Sequence, residues 1–310
     1  KWLALSGRTF ANPIERLCYQ GKRSMGALEF VPAQDNYLEL STGLEIKTLI
    51  ETAREVLDEK KKLDVNLNVD TKEAVANIIR VGTSAGGQRA KAVIAYNETT
   101  GDIRSGQIEA PDGFSHWLIK LDGVTNNELG DPKHYGRIEY VYYLMARDAG
   151  IDMSECRLIE ENGRAHFMTK RFDRVNGNEK LHMQTLCGMA HYDYKMIHAY
   201  SYEQVFQVMR RLRLSYSDAE QMFRRMVFNV VARNQDDHTK NISFLMDRQG
   251  KWSLSPAYDV SWAYNPKGIW TSNHQMSINN KSDEITRDDL LSVARNVNIK
   301  HADQIIDQVI

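Results

Sequence analysis

Residues 230–259, VVARNQDDHTKNISFLMDRQGKWSLSPAYD, decide how the rest of this sequence is interpreted. Their pattern predicts a helix that runs into a polar loop, followed by a short hairpin. The loop holds an acid, Asp236, and an amide five residues later, Asn241, and a second acid, Asp259, follows the hairpin. A phosphoryl-transfer site needs such groups, because one acid can orient a hydroxyl and accept its proton while the other two side chains hold Mg²⁺. The spacing therefore favours a kinase.

An ordinary surface hairpin with solvated charges is the alternative, because an acid and an amide at this spacing also recur by chance. Two features argue against it. Apolar segments flank the loop closely on both sides, so packed elements hold it, and Asp259 stands at the end of a predicted strand, from which it can point back toward Asp236.

Length and composition exclude several classes of protein. The 310 residues suffice for two lobes, the hydrophobic content of 42% is ordinary, and a net charge of −1 gives no global basic field for nucleic acid. No apolar run reaches the length of a membrane span. The three cysteines are widely separated, which predicts a reduced, cytoplasmic setting. Because the sequence begins at Lys1 without Met, we expect a preceding segment.

A second set of candidate residues lies in the first half of the sequence. Residues 83–87, Thr-Ser-Ala-Gly-Gly, precede a predicted strand at 92–96, and small residues let backbone N–H groups approach phosphates. A plain hairpin linker fits the same composition. Residues 117–121, WLIKL, are typical of a buried strand with one internal charge, Lys120. This lysine either binds phosphates or reaches solvent from a sheet edge.

Further elements follow from apolar periodicity and capping pairs. Residues 135–149 are predicted to form a helix that buries Ile138, Val141, Tyr142 and Met145, with Glu139 exposed or paired with Lys120. Asn162-Gly163 predicts a hairpin turn, and from Leu181 the pattern is helical. Ser201 with Gln204 and Ser217 with Glu220 are expected to cap two helices, and residues 275–278 to form a strand.

Several motifs together resemble the HipA family, the serine/threonine kinase toxins of bacterial toxin–antitoxin pairs. The match rests on DDHTKN (236–241) and SPAYD (255–259). Further matches are GKRSMGALEF (21–30), GTSAGGQRAK (82–91), HWLIKL (116–121) and KRFDR (170–174). The resemblance spans nearly the whole sequence, and the combination of motifs is specific.

This resemblance implies an α+β, two-lobed protein-kinase-like fold with a mixed α/β N-terminal lobe and a mainly α-helical C-terminal lobe. Residues 1–62 would be a partial N-terminal subdomain and connector, 63–173 the N-terminal lobe with a glycine-rich loop, and 174–310 the helical lobe with the catalytic loop. ATP is expected between the lobes.

The resemblance also implies roles for single residues. Asp236 would be the catalytic base, and Asn241 and Asp259 the Mg²⁺ ligands. Lys120 and Lys91 would contact the ATP phosphates. The remaining nucleotide-binding candidates are the loop residues Thr83, Ser84, Ala85, Gly86 and Gly87, the backbone of Lys170, Arg171 and Phe172 at the adenine, Asp173 near the ribose, and His238 and Lys240. Autophosphorylation on Ser84 or Thr83 would eject the glycine-rich loop and inactivate the kinase.

Partners are implied in the same way. The family predicts a small helix-turn-helix antitoxin like HipB, contact with DNA only through that antitoxin, no membrane, and a protein substrate, which in one branch is an aminoacyl-tRNA synthetase. Two alternatives stay open. D-x-H-x-x-N also resembles lipid-kinase loops, which favours a small molecule or lipid headgroup as substrate. A pseudokinase that binds the antitoxin as a co-repressor is the other.

Overall fold

The computed structural model describes residues 12–33, 49–50, 90–123 and 134–310. The chain divides into two compact units, Lys1–Arg137 with Glu155–Lys180 and Ile138–Ser154 with Leu181–Ile310. Each unit contains a sheet and a hydrophobic core of its own. The described residues form a mixed α/β structure with antiparallel sheets, as the α+β prediction requires.

The first unit is built on a five-stranded antiparallel sheet in the order β2-β1-β3-β5-β4. Its elements are α1 (Pro13–Gln20), β1 (Lys91–Tyr96), β2 (Ile103–Ser105), β3 (Ser115–Lys120), β4 (Cys156–Glu161), β5 (Arg164–Lys170), β6 (Arg174–Val175) and β7 (Glu179–Lys180). Trp117 and Ile119 project from one face of β3 into the core with Ile94 and Met168. The buried strand predicted around Lys120 is therefore confirmed, and it is the central strand of the sheet.

The turn between β4 and β5 also follows the prediction. Asn162 and Gly163 have φ angles of 49° and 75°, the left-handed values that a two-residue hairpin turn requires. Asparagine and glycine adopt these values most readily, so the dipeptide fixes both the turn and the register of the two strands.

The second unit is mainly helical, with a three-stranded sheet in the order β10-β9-β8. Its elements are α2 (Tyr135–Asp148), β8 (His182–Thr185), α3 (Leu186–Ala190), α4 (Tyr202–Arg211), α5 (Tyr216–Val231), β9 (Ser243–Met246), β10 (Trp252–Leu254), α6 (Arg287–Val297) and α7 (Ala302–Val309). The first three residues of α2, up to Arg137, are assigned to the first unit. Helix α5 contributes Met222, Phe223, Met226 and Val227 to the core, which confirms its predicted apolar stripe.

Helix α2 exposes three of the four residues that periodicity predicted to be buried. Ile138, Val141 and Met145 are exposed, whereas Glu139 is 1% exposed and Tyr142 is buried with it. The prediction failed because both faces of this helix carry apolar residues, so spacing alone cannot choose between them.

Three local predictions also need correction. Helix α5 is capped by Ser215 with Asp218, not by Ser217 with Glu220. Residues 182–185, predicted to be helical, form β8 because they pair with β9. Residues 275–278, predicted to be a strand, contain only two isolated bridge residues, Ser277 and Ile278. None of the helices in the described part of the chain has the length and hydropathy that a bilayer span requires.

Candidate active site

The loop after α5 holds Asp236 and Asn241 against each other. Nδ2 of Asn241 donates a hydrogen bond of 2.8 Å to the main-chain O of Asp236, and the Asn241 N–H donates to the main-chain O of His238 at 2.9 Å. Because the amide nitrogen donates this bond, Oδ1 is the atom of Asn241 that could bind a cation. The Asp236 carboxylate is 47% exposed, and His238 Nε2 lies 3.8 Å from its Oδ1.

Asn241 and Asp259 line the same pocket of the second unit, together with His238 and Tyr258. Asp259 is exposed and has a φ angle of 56°, an uncommon value for a residue other than glycine. An amide oxygen and a carboxylate are oxygen ligands of the kind that Mg²⁺ prefers. No group of three His, Cys, Asp or Glu side chains able to hold a metal occurs among the described residues. Mg²⁺ sites of this kind usually keep several waters and bind substrate phosphates beside one or two protein oxygens.

Asp237 is a buried anchor, although it directly follows Asp236. Its side chain is 1% exposed. Oδ2 accepts hydrogen bonds from Tyr202 Oη (2.8 Å) and lies 2.9 Å from His274 Nδ1, while Oδ1 accepts from the Gln275 N–H (2.8 Å). Burial and the Asp237 charge raise the pKa of Tyr202 well above its ordinary value, so this hydroxyl stays a donor. These bonds hold the loop so that its other acid faces solvent.

Arg225 of α5 fixes the chain that leads to Asp259. Its Nη2 donates to the main-chain O of Ser255 (2.7 Å) and of Asp152 (3.3 Å), and the Ala257 N–H donates to the same Asp152 oxygen at 2.8 Å. Burial lowers the pKa of Arg225 to about 10, so the side chain is a buried cation at neutral pH. Arg225 thus positions the SPAYD segment without reaching its end.

Two lysines face each other in the sheet of the first unit. Lys91 of β1 and Lys120 of β3 are directly opposed, and Lys120 is also opposite Phe167 of β5, with Nζ 5.7 Å from that ring. Directly opposed residues of antiparallel strands project from the same face. Lys120 is 8% exposed.

The segment predicted to bind adenine and ribose makes hydrogen bonds within its own unit. The N–H groups of Lys170 and Arg171 donate to the main-chain O of Glu155 (2.8 Å) and His116 (2.9 Å). The contact of the Lys170, Arg171 and Phe172 backbone with adenine stays a prediction. Asp173 is paired with Arg171 and Arg174 at 2.7 and 2.9 Å. Its contact with the ribose stays a prediction.

The other predicted residues are placed as follows. The Lys240 ammonium lies 3.5 Å from the centre of the Tyr194 ring, and His238 packs edge-on against the same ring. Thr83, Ser84, Ala85, Gly86 and Gly87 lie outside the described residues.

The residues that sequence reasoning missed are the supporting ones, namely Asp237, Tyr202, His274, Arg225 and Tyr258. The Asp-Asp pair could have suggested that one acid has a structural role. His274 carries no local signal, since its partner Asp237 is distant in the sequence.

Comparison with known proteins shows which family this chain belongs to. A family model described as the HipA-like C-terminal domain matches residues 83–310, most of the chain. The chain belongs to this family. Among its curated relatives, "Putative kinase Y4mE" of Sinorhizobium fredii is 26% identical over 152 residues, which are 46% of this chain and 33% of that protein. A "Putative kinase" of Haemophilus influenzae is 25% identical over 134 residues, 39% of each chain. The matches thus span well under half of either relative.

A solved HipA structure extends the likeness over the whole chain. HipA of Shewanella oneidensis, determined in complex with HipB and its operator DNA, covers 99% of this chain with a TM-score of 0.67. The match spans 72% of that chain at 16% sequence identity. At this identity the likeness is one of fold, and the HipA-like C-terminal domain accounts for the mixed α/β architecture.

Proposed function

We propose that this HipA-like protein is an ATP-dependent serine/threonine protein kinase, with Asp236 as catalytic base and Asn241 and Asp259 as the Mg²⁺ ligands. One observation carries the proposal. Asn241, bonded to the main chain of Asp236, lines the same pocket as Asp259, while the Asp236 carboxylate stays open to solvent. An acid that can receive a proton thus lies next to Asn241, which shares a pocket with the second proposed metal ligand.

Each residue has a defined task in this scheme. Asp236 orients a substrate hydroxyl and accepts its proton at a carboxylate oxygen. Asn241 Oδ1 and the Asp259 carboxylate bind Mg²⁺, which neutralises the charge on the transferred phosphoryl group. Asp237, buried and saturated by its partners, keeps the loop rigid, so that little reorganisation is needed at the moment of transfer.

Phosphate binding is assigned to the sheet of the first unit. The opposed Lys91 and Lys120 place two ammonium groups on one sheet face, which suits the polyanionic phosphates of ATP. We assign the glycine-rich residues 83–87 to the same task, and Ser84 or Thr83 to inhibitory autophosphorylation. A two-lobed, kinase-like arrangement belongs to the same proposal.

The proposed biological role is that of a toxin whose antitoxin is a HipB-like helix-turn-helix protein. It is supported by the likeness in fold to HipA, which was solved with HipB and operator DNA. The chain would then contact DNA only through the antitoxin.

Transfer of labelled phosphate from ATP tests the function. We expect Mg²⁺-dependent labelling of the protein itself and of a protein in cell extract, and loss of both in Asp236→Asn. Label that appears only on small molecules or lipids would reassign the enzyme to a metabolite kinase. If no phosphate is transferred at all but the protein still binds the antitoxin, the protein would be a pseudokinase.

A further inference from the structure

One hydroxyl joins the two segments that carry the proposed metal ligands. Tyr258 directly precedes Asp259, and its Oη donates a hydrogen bond of 2.6 Å to the main-chain O of Lys240. Lys240 in turn directly precedes Asn241. Asp259 and Asn241 are therefore each adjacent in sequence to one of the two residues that form this hydrogen bond.

The strand β9 fixes the position of that hydroxyl. Oη of Tyr258 also lies within hydrogen-bond distance of Oγ of Ser243. A phenol has one proton, and a carbonyl can only accept, so Tyr258 donates to Lys240 and Ser243 donates to Tyr258. Ser243 is fully buried, and its main-chain O accepts from the Ser255 N–H at 3.0 Å. Strand β9 thus fixes the Tyr258 hydroxyl through Ser243.

The hydrogen bond from Tyr258 fixes the orientation of Asn241. The peptide group between Lys240 and Asn241 is held on both sides, since its C=O accepts from Tyr258 and its N–H donates to His238. The Asn241 amide is fixed in addition by its bond to Asp236. The direction of Asn241 Oδ1 therefore depends on the peptide plane that Tyr258 holds.

The Tyr258 side chain also constrains the backbone of Asp259, the next residue in the sequence. The φ angle of Asp259, 56°, lies in the left-handed region, where a residue other than glycine stays only if its surroundings impose it. Because the Tyr258 ring is anchored at its hydroxyl, the peptide that leads into Asp259 cannot rotate freely. One side chain thus restrains both ligands.

We propose that Tyr258 is a positioning residue that sets the separation of Asn241 and Asp259 and thereby makes the site selective for Mg²⁺ over Ca²⁺. The inference rests on the proposed function, in which these two residues bind the metal. Mg²⁺ demands near-ideal octahedral geometry at about 2.0–2.1 Å, whereas Ca²⁺ accepts six to eight oxygens at about 2.3–2.6 Å in flexible arrangements. A fixed ligand separation therefore matters more to Mg²⁺.

Tyr258→Phe, which removes only the hydroxyl, tests the inference against a matched control, Tyr142→Phe. The Tyr142 hydroxyl also donates to a main-chain oxygen of the same unit, that of Ala232, at 2.6 Å. Calorimetry would measure the binding of a non-hydrolysable ATP analogue over a range of Mg²⁺ or Ca²⁺ concentrations. In Tyr258→Phe the Mg²⁺ concentration for half-maximal binding should rise about 10-fold, the usual effect of removing a residue that orients a metal ligand. The Ca²⁺ dependence should change much less, and the control should behave as wild type.

Three results would overturn the inference: no change in Tyr258→Phe, an equal loss for both cations, or the same loss in Tyr142→Phe. Failure of the proposed function is distinguishable, because the wild type would then show no Mg²⁺-dependent binding, or Asp259→Asn would leave such binding intact. If Tyr258→Phe does not fold, Ser243→Ala removes the group that holds the phenol and should reduce the Mg²⁺ preference in the same direction. An unchanged preference in Ser243→Ala would count against the inference.

Discussion

Two segments that the sequence assigns to nucleotide binding treat their acids in opposite ways. In the segment around Asp173, Arg171 donates to both carboxylate oxygens at 2.9 and 2.7 Å, and Arg174 and the Gly26 N–H complete the shell. That side chain is 3% exposed. In the loop after α5, the Asp236 carboxylate is 47% exposed. The first acid is buried by contacts within its own unit, and the second is accessible to solvent.

The difference teaches that a motif identifies an acid but not its task. Asp236 and Asp237 repeat the contrast across one peptide bond, since Asp237 is buried and bonded to Tyr202, His274 and Gln275. A buried carboxylate with a full set of internal donors stabilises the fold, while a solvent-accessible one can bind a ligand or a proton. Substitutions should therefore separate activity from stability at these acids.

Asp236→Asn should have the largest effect, and on activity alone. Turnover of ATP should fall by roughly 10²–10⁴-fold, because the amide cannot accept the proton of the hydroxyl. The urea midpoint should stay near that of the wild type. Initial rates at saturating ATP and Mg²⁺ measure the loss, and Asp288→Asn, an exposed acid of α6, is the control. Near-native turnover in Asp236→Asn would remove this residue from the mechanism.

Asp173→Asn should act on stability. It leaves Arg171 and Arg174, both nearly inaccessible to solvent, without a carboxylate, and breaking a buried ion pair in this way costs about 3–5 kcal/mol. Urea unfolding measures the change, with Asp102→Asn, an exposed acid of the same unit, as control. If Asp173→Asn instead kept its stability and lost ATP affinity, the ribose contact implied by the family resemblance would be the better assignment.

Asp237→Ala should cost somewhat less, about 2–4 kcal/mol in the free energy of unfolding, because Tyr202, His274 and the Gln275 N–H lose a charged acceptor. Tyr202→Phe removes one of these bonds and should cost about 1 kcal/mol. Both values can be measured by urea titration at neutral pH. A stable Asp237→Ala with the activity loss of Asp236→Asn would mean that the two acids share one role.

Local features of this fold could be predicted from the sequence. The β4–β5 hairpin follows from Asn162-Gly163, and α4 begins at the predicted capping box of Ser201 and Gln204. Asp236 and Asn241 lie in one loop, so their proximity follows from their spacing. In each case the interacting groups are a few residues apart, and backbone preference alone selects the structure.

Features that depend on distant partners could not be predicted. His274 meets Asp237 only after the chain has passed through the β9–β10 hairpin, and β8 is a strand only because β9 lies beside it. The buried face of α2 includes Glu139, for which the sequence left both exposure and pairing with Lys120 open. Tertiary contacts override local preference at these positions, and a single sequence gives no signal for them.

The smallest expected effect is the pH dependence of the Asp173 contribution to stability. Burial alone would raise the pKa of Asp173, but the hydrogen bond and charge of Arg171, with the charge of Arg174, outweigh it and hold the pKa below its ordinary value of 3.8. The unfolded chain therefore takes up this proton at a higher pH than the folded protein does. The stabilisation is complete above about pH 4 and is lost as the pH falls through the folded-state pKa.

The difference in unfolding free energy between wild type and Asp173→Asn should thus stay constant from about pH 7 to pH 5 and shrink below about pH 4. Urea titrations across this range measure it. Burial lowers the pKa of His116 from 6.5, so protonation of that residue destabilises the folded state at a higher pH, in wild type and variant alike. Because both proteins share this contribution, it cancels from the difference, and a difference that shrank already near pH 6 would contradict its assignment to the Asp173 ion pair.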